Sequence, residues 1–186
     1  MYSKPSQEQR SNKCFVFLLA AFVLLCAILL VFASIVLRVK KPLLHFESAS
    51  VNNLSYRTSP SPSFKLTMVA KITVNNPNFG NLDYGNSSVT VLYGNSRIAE
   101  RELEGGRVKA GEIKALNVTL NLRSDPVVSS GNLSNDILSG AFNLTGYTKL
   151  TGTVHLLKFL KKNKSTELAC VLRLNLTSYS VQNLQC

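Results

Sequence analysis

One uncharged apolar segment limits what the first quarter of this 186-residue chain can become. Between residues 14 and 37 no side chain is charged. As a helix rising about 1.5 Å per residue, the segment would span roughly 36 Å, enough to cross the hydrocarbon core of a bilayer with a modest tilt. We therefore expect a single transmembrane helix at residues 14–37, preceded by a short cytoplasmic tail at residues 1–13.

Two other interpretations of the segment remain open. It could be the core of a cleaved signal peptide, with Val31-Phe32-Ala33 as the cleavage site, although such cores usually have only about 7–15 residues. It could also be a buried helix of a soluble protein. The flanking charges do not orient it, because three basic residues precede it and three follow it before residue 42.

Glycosylation sequons supply an orientation. The pattern Asn-x-Ser/Thr, with x other than proline, occurs seven times, and every copy follows the apolar segment. N-glycosylation requires lumenal exposure, so this distribution predicts a cytoplasmic N-terminus and an extracytoplasmic C-terminal domain. The candidate acceptors are Asn53, Asn86, Asn117, Asn132, Asn143, Asn163 and Asn175.

The four cysteines agree with this orientation. Cys14 stands at the predicted cytoplasmic edge of the membrane segment and is a candidate for palmitoylation. Cys26, inside the segment, is interpreted as a small apolar side chain. Only Cys170 and Cys186 fall in the predicted extracytoplasmic part, where an even number of cysteines is typical of disulfide formation.

A hairpin near the C-terminus would bring that pair together. If residues 168–177 and 180–186 are strands joined by a turn at Ser178, Cys170 lies opposite Cys186, near enough for a disulfide. The alternative is two free thiols, one of them in the core.

Period-two alternation dominates the chain after residue 63. In residues 64–75 every even position is apolar, and a strand, unlike a helix, collects alternate positions on one face. The same alternation recurs at 114–122 and 168–177. Weaker strands are expected at 43–56, 87–94, 96–103 and 147–160.

One helix is expected at 129–139, with Leu133, Ile137 and Leu138 on one face and Gly140 just after its C-terminus. Seven or eight short strands separated by turns predict a mainly β protein, an antiparallel sandwich with one short helix. The stem and first strand would occupy residues 38–63, and the rest of this one domain residues 64–186.

Asn75, Asn76, Pro77 and Asn78 interrupt the clearest strand. A residue before proline is pushed toward extended geometry, and Pro77 cannot donate a hydrogen bond to a strand partner. Asparagine side chains can bond the local backbone. The pattern predicts a structural corner between two strands, and the alternative is a binding surface.

No catalytic, cofactor-binding or metal-binding residues are predicted. The two histidines, His45 and His155, fall in different candidate strands without an acid or a cysteine at ligand spacing. The common catalytic and metal motifs are absent from the sequence. We therefore expect the protein not to be an enzyme.

The formal net charge is +11, and the densest basic run is at 157–164. This run predicts a contact with an anionic lipid or an acidic wall polymer, and a plain solvated turn is the alternative. Nucleic acid is not an expected partner of a domain outside the cytosol. The basic side chains are Lys158, Lys161, Lys162 and Lys164.

The order of these features resembles the plant late-embryogenesis-abundant group 2 proteins, over about residues 10–186. The stretches that carry the resemblance are ITVNNPNFGNLDYGNSSVTVLY, then GGRVKAGEIKALNVTLNL, then the cysteine pair. More narrowly, the chain is similar to the membrane-anchored branch, related to the hairpin-induced and non-race-specific disease-resistance glycoproteins.

The resemblance implies a single water-stress-and-hypersensitive-response (WHy) domain with a fibronectin III-like β-sandwich fold. It also implies a plasma-membrane location, with the endoplasmic reticulum or another endomembrane as the alternative. Expected roles are in stress or defence, through a partner protein or a wall or lipid surface. Alternatives are structural protection during dehydration without a specific partner and carriage of a hydrophobic ligand. Nothing in the sequence indicates an oligomeric state.

Overall fold

A computed structural model describes residues 7–36, 38–124, 132–156 and 160–186. It divides into two units, Met1–Val39 and Lys40–Cys186. The first unit contains one helix, α1 (Gln7–Val36). Its stretch Cys14–Ile35 is long and apolar enough to cross a membrane, and none of that stretch is buried. Exposed apolar side chains disfavour the alternative of a buried helix in a soluble protein.

In its described residues the second unit is built almost entirely of antiparallel strands, with one short helix. Its elements are β1 (Leu43–Arg57), β2 (Ser63–Asn75), β3 (Asn81–Tyr84), β4 (Ser87–Tyr93), β5 (Ser96–Leu103), β6 (Gly106–Val108), β7 (Ile113–Arg123), α2 (Asn132–Leu138), β8 (Ala141–His155), β9 (Lys161–Asn175) and β10 (Ser180–Gln185).

Hydrogen bonds join the strands into one ten-stranded sheet in the order β5-β4-β8-β9-β10-β1-β2-β7, while β3 pairs with both β6 and β8. The sheet is barrel-like, since side chains from β2, β4, β7, β8 and β9 surround the same interior space. The predicted antiparallel β architecture with one short helix is confirmed. The fibronectin III-like sandwich stays a prediction, since hydrogen bonds connect all the strands in one sheet.

The alternation of apolar and polar residues predicts which side chains form the core, and the structure buries those side chains. The six even-numbered side chains of β2 from Phe64 to Val74 are 3% exposed or less. In β9, Cys170, Leu172 and Leu174 are buried in the same way. A strand with one face on the core requires this pattern, because a shift by one residue would turn every apolar side chain to solvent.

Two predictions about individual elements were wrong in detail. Strand β8 starts at Ala141 rather than at residue 147, because Phe142 and Leu144 continue the buried alternation. Helix α2 buries Leu133 and Ile137 but leaves Leu138 71% exposed. Leu133 and Ile137 are four residues apart and share one face of the helix. Leu138 is five residues from Leu133 and lies outside that face. Part of the predicted helix, residues 129–131, lies outside the described residues.

Candidate functional site

The side chain of Asn76 is fully buried at the corner between β2 and β3. Its Nδ2 donates to the carbonyl oxygens of Gly80 at 2.8 Å, Val108 at 3.2 Å and Lys109 at 3.0 Å. Its backbone N–H donates to the carbonyl of Glu112 at 3.0 Å. One side chain therefore fixes the chain on both sides of the corner, and its amide nitrogen is not available to a ligand.

Asn78 completes the corner. The Oδ1 of Asn76 accepts hydrogen bonds from the backbone N–H of Asn78 at 3.3 Å and from its Nδ2 at 3.0 Å. Asn78 in turn accepts from the N–H of Lys40 at 2.7 Å and donates to the Lys40 carbonyl at 3.0 Å. The sequence pattern suggested bonds to the local backbone, which Asn76 makes to Gly80 and Asn78, whereas Asn78 binds Lys40, the first residue of the domain.

Gly80 brings the corner against the end of β8. A Cβ atom at this position would lie 2.2 Å from the carbonyl oxygen of His155, so only glycine fits there. Asn81 pairs with His155, which in turn pairs with Lys161 of β9. The start of β9 therefore lies beside the corner.

These contacts define one end of the domain, which we call the Lys40 end: residues 40–43, 75–81, 109–113, 155 and 161–162. In one row across this end, Leu43 of β1 pairs with Asn75 of β2, which also pairs with Ile113 of β7. Phe79 is 68% exposed and Ile113 62% exposed, and Leu43 is also exposed. Five lysines of this end are exposed: Lys40, Lys41, Lys109, Lys161 and Lys162.

The predicted basic patch is divided by the strand. Lys161 and Lys162 are exposed at the start of β9, whereas Lys164 is half-buried opposite Gly152. Lys158 lies outside the described residues. Successive side chains of a strand point to opposite faces, so the described lysines do not form one flat surface.

An ion pair links β3 and β6 near the same end. The Arg107 guanidinium makes two hydrogen bonds to the Asp83 carboxylate, at 2.5 and 2.9 Å. The His155 Nε2 lies 3.4 Å from the same carboxylate. The bond from Arg107 holds the pKa of Asp83 below its ordinary value. The described residues contain no group of three or more His, Cys, Asp or Glu side chains arranged for a metal.

Most candidate glycan acceptors stand at accessible positions. The side chains of Asn53, Asn86, Asn117, Asn143 and Asn163 are exposed. Asn175 is half-buried, and its Oδ1 accepts hydrogen bonds from the backbone N–H groups of Thr177 and Ser178. The side chain of Asn132 lies outside the described residues. Exposure permits modification of the first five, and their use stays a prediction.

A disulfide joins Cys170 to Cys186. The register that leads to it differs from the simple hairpin expected from sequence. Ser180 pairs with Asn175, and continuing that register would place Cys170 opposite Gln185, one residue before Cys186. An irregularity between Gln182 and Gln185 shifts the register by one residue, so that Gln185 pairs with Val171 and Cys186 reaches Cys170. Cys14 and Cys26 of α1 are free thiols, and palmitoylation of Cys14 stays a prediction.

An apolar cavity between the two sides of the sheet has a volume of about 30 Å³. Met68, Val91 and Leu172 are among the side chains that line it. Pockets that hold organic ligands usually measure about 300–1,000 Å³, so this cavity is about tenfold too small. It gives no support to carriage of a hydrophobic ligand.

A family model described as "Late embryogenesis abundant protein" (LEA_2) matches residues 71–170. The Late embryogenesis abundant protein At1g64065 of Arabidopsis thaliana is 31% identical over 182 residues, covering 96% of this chain and 85% of that protein. The solution structure of a putative late embryogenesis abundant protein, At2g46140.1, matches 94% of both chains with a TM-score of 0.38 and 14% identity. The solution structure of AT1g01470 from Arabidopsis thaliana matches 68% of this chain and 82% of that one, with a TM-score of 0.35 and 16% identity.

Proposed function

Since the chain belongs to the late embryogenesis abundant family LEA_2, we propose that it acts in plant stress or defence as a single-pass membrane glycoprotein without enzymatic activity. Its domain would face the extracytoplasmic side and bind a partner protein, an acidic wall polymer or a lipid surface. The proposal includes membership of the membrane-anchored branch related to the disease-resistance glycoproteins. It places the protein in the plasma membrane, with an endomembrane as the alternative.

The observation that carries this proposal is the disulfide in the domain that follows an apolar helix. Cys170 and Cys186 are bonded, whereas the free thiols Cys14 and Cys26 both belong to α1. Disulfides persist in oxidising compartments and are rare in the cytosol. If α1 spans the membrane, a disulfide in the following domain favours an extracytoplasmic location for that domain.

The exposed sequons support the same orientation. Asn117 and Asn143 lie on the outward faces of β7 and β8, where a glycan would meet solvent. Asn163 is also exposed, near the start of β9. Glycans on these strands would leave the core untouched, because the inward-facing positions alternate with them.

Endoglycosidase treatment of the native protein tests the orientation. We expect a downward shift on denaturing gels that corresponds to several glycans. The variants Asn117→Gln and Asn143→Gln should each remove one step of that shift, and Asn121→Gln, an asparagine outside any sequon, should remove none. A native protein that does not shift would overturn the extracytoplasmic location.

A second experiment separates partner binding from general protection during drying. Proximity labelling with an enzyme fused after Cys186 should mark extracytoplasmic proteins or wall material reproducibly. Labelling of cytosolic neighbours alone would contradict the proposal. Loss of drying tolerance with intact pathogen responses would instead favour structural protection without a specific partner.

A further inference from the structure

At the Lys40 end the outward faces of β1 and β7 carry the large apolar side chains Leu43 and Ile113. Along β7 the outward positions after Ile113 are Ala115, Asn117, Thr119 and Asn121, which are small or polar. Along β1 the positions after Leu43 are His45 and Glu47. Leu43 and Ile113 flank Asn75 in the last row of the sheet. A solvated sheet face does not by itself call for two large apolar side chains in one row.

Phe79 is held outward by its neighbours. Asn76 and Asn78 are buried and fully engaged in hydrogen bonds, and Gly80 lies against the His155 backbone. The backbone on both sides of Phe79 is therefore fixed, while its side chain remains 68% exposed. Exposed apolar side chains gathered at one end are typical of an interaction surface, and Phe79, Ile113 and Leu43 all belong to this end.

The length of the chain places this surface near the membrane that α1 would span. Helix α1 ends at Val36, and Lys40 is four residues later. Four extended residues reach at most about 14 Å. Asn78 binds both the N–H and the carbonyl of Lys40, so the adjacent Phe79 has to stay near the point where the chain leaves the bilayer.

The charge of this end suits phospholipid head groups. This end carries five exposed lysines beside its exposed apolar side chains, and among its described residues Glu112 is the one acid. The Glu112 carboxylate already accepts the backbone N–H of Lys109 at 2.7 Å. Lysines around exposed apolar side chains are typical of surfaces that lie at a membrane interface.

We propose that the Lys40 end rests on the phospholipid bilayer that α1 spans, with Phe79 and Ile113 in the interfacial layer and the exposed lysines of this end at the head-group phosphates. The inference rests on the membrane anchoring proposed above and adds the partner of this surface. The opposite end of the domain, formed by α2 and the β9–β10 turn, is not expected to contact the lipid.

The absence of tryptophan from the chain provides a direct test. The full-length protein would be reconstituted in lipid nanodiscs of phosphatidylcholine and phosphatidylglycerol. The variant Phe79→Trp then places a single reporter at the Lys40 end. The matched control is Tyr179→Trp, an aromatic position 53% exposed in the β9–β10 turn at the opposite end.

We expect the Phe79→Trp protein to emit at shorter wavelength than the Tyr179→Trp protein. Its quenching by lipids brominated on the acyl chain should be at least about threefold stronger, and its quenching by aqueous acrylamide correspondingly weaker. Equal acrylamide quenching of both variants, with no effect of brominated lipid, would overturn the proposal. The Phe79→Trp emission could instead shift to shorter wavelength only in discs that hold two copies of the protein, without quenching by lipid. That result would assign the surface to a second copy of the chain and would also overturn the proposal.

Charge variants test the lysines separately. Lys161→Gln with Lys162→Gln, added to Phe79→Trp, should weaken the lipid quenching, and Arg57→Gln with Arg123→Gln at the opposite end should not. Equal effects of the two pairs would contradict a specific role for the lysines. Protein that fails to migrate with the discs would overturn the anchoring and the docking together. Loss of lipid quenching in protein that does migrate with them would overturn the docking alone.

Discussion

Asn78 and Lys40 bond to each other twice, although 38 residues separate them in the chain. The side-chain oxygen of Asn78 accepts the N–H of Lys40, and its nitrogen donates to the Lys40 carbonyl. The same asparagine is positioned by Asn76, which holds the loop that connects β6 to β7. The corner therefore fastens the beginning of the domain to the loop between β6 and β7.

Replacing Asn76 with aspartate should destabilise the domain. The substitution keeps the shape but turns a buried donor that faces three carbonyl oxygens into an acceptor. We expect Asn76→Asp to lower the free energy of unfolding by about 3 kcal/mol, measured by urea denaturation of the full chain in detergent.

The matched control for that substitution is Asn81→Asp. The exposed Asn81 accepts a hydrogen bond from the backbone N–H of Ala110 at 3.3 Å, and an aspartate can still accept it. The change should stay within about 0.5 kcal/mol. If both substitutions cost the same, the donor role assigned to Asn76 would be wrong.

Gly80→Ala should damage the contact between the corner and β8. The added methyl group would lie 2.2 Å from the His155 carbonyl oxygen and 2.6 Å from its carbon, so backbone would have to move. We expect a loss of about 2–4 kcal/mol in the free energy of unfolding. Gly85→Ala, where nothing lies within 4 Å, should be neutral or stabilise by up to about 1 kcal/mol. A tolerated Gly80→Ala would mean that β3 and β8 are not in close contact here.

The parts of the fold that depend only on neighbouring residues were predictable from local sequence patterns. The alternation in β2 determines which side chains are buried, because each strand residue alternates faces whatever its partner strand is. The Cys170–Cys186 contact followed from hairpin geometry, although an irregularity in β10 was needed to reach it. Gly140, at the end of α2, has the positive φ expected of a residue that terminates a helix.

Contacts between distant residues were not predictable in this way. The spacing of Asn76 and Asn78 indicated a corner, but nothing in a single sequence shows that Asn78 binds Lys40. The position of β10 between β9 and β1 depends on the whole sheet order. The exposure of Phe79 was likewise invisible, because an aromatic residue after a turn is as compatible with the core as with the surface.

Tyr93 should make stability depend on pH in the alkaline range. Its hydroxyl donates to the Asp136 carboxylate at 2.5 Å, joining β4 to α2. Burial, together with this bond, raises the pKa of Tyr93 above its ordinary value of about 10. A raised folded-state pKa gives stability that is present below pH 10 and is lost as the pH rises above it, because the unfolded chain then ionises first.

We therefore expect Tyr93→Phe to cost about 1–2 kcal/mol at pH 7, through loss of the bond to a charged acceptor. The difference between the two proteins should shrink above pH 10, measured by urea denaturation between pH 7 and 11. The lysines and the other tyrosines ionise in both proteins and cancel in the comparison. Parallel pH profiles up to pH 11 would contradict the assigned shift.

The disulfide should supply a large part of the stability of the C-terminal strands. It closes a loop with a sequence separation of 16, for which chain entropy predicts about 3 kcal/mol. We expect Cys186→Ser to lower the free energy of unfolding by about this amount, and a reductant to lower that of the unsubstituted protein equally. The Cys186→Ser protein should not respond to the reductant, while Cys14→Ser, which changes a free thiol of α1, should retain the full response. If the reductant has no effect on the unsubstituted protein, Cys170 and Cys186 are not bonded in the native protein, and the main argument for an oxidising compartment is lost.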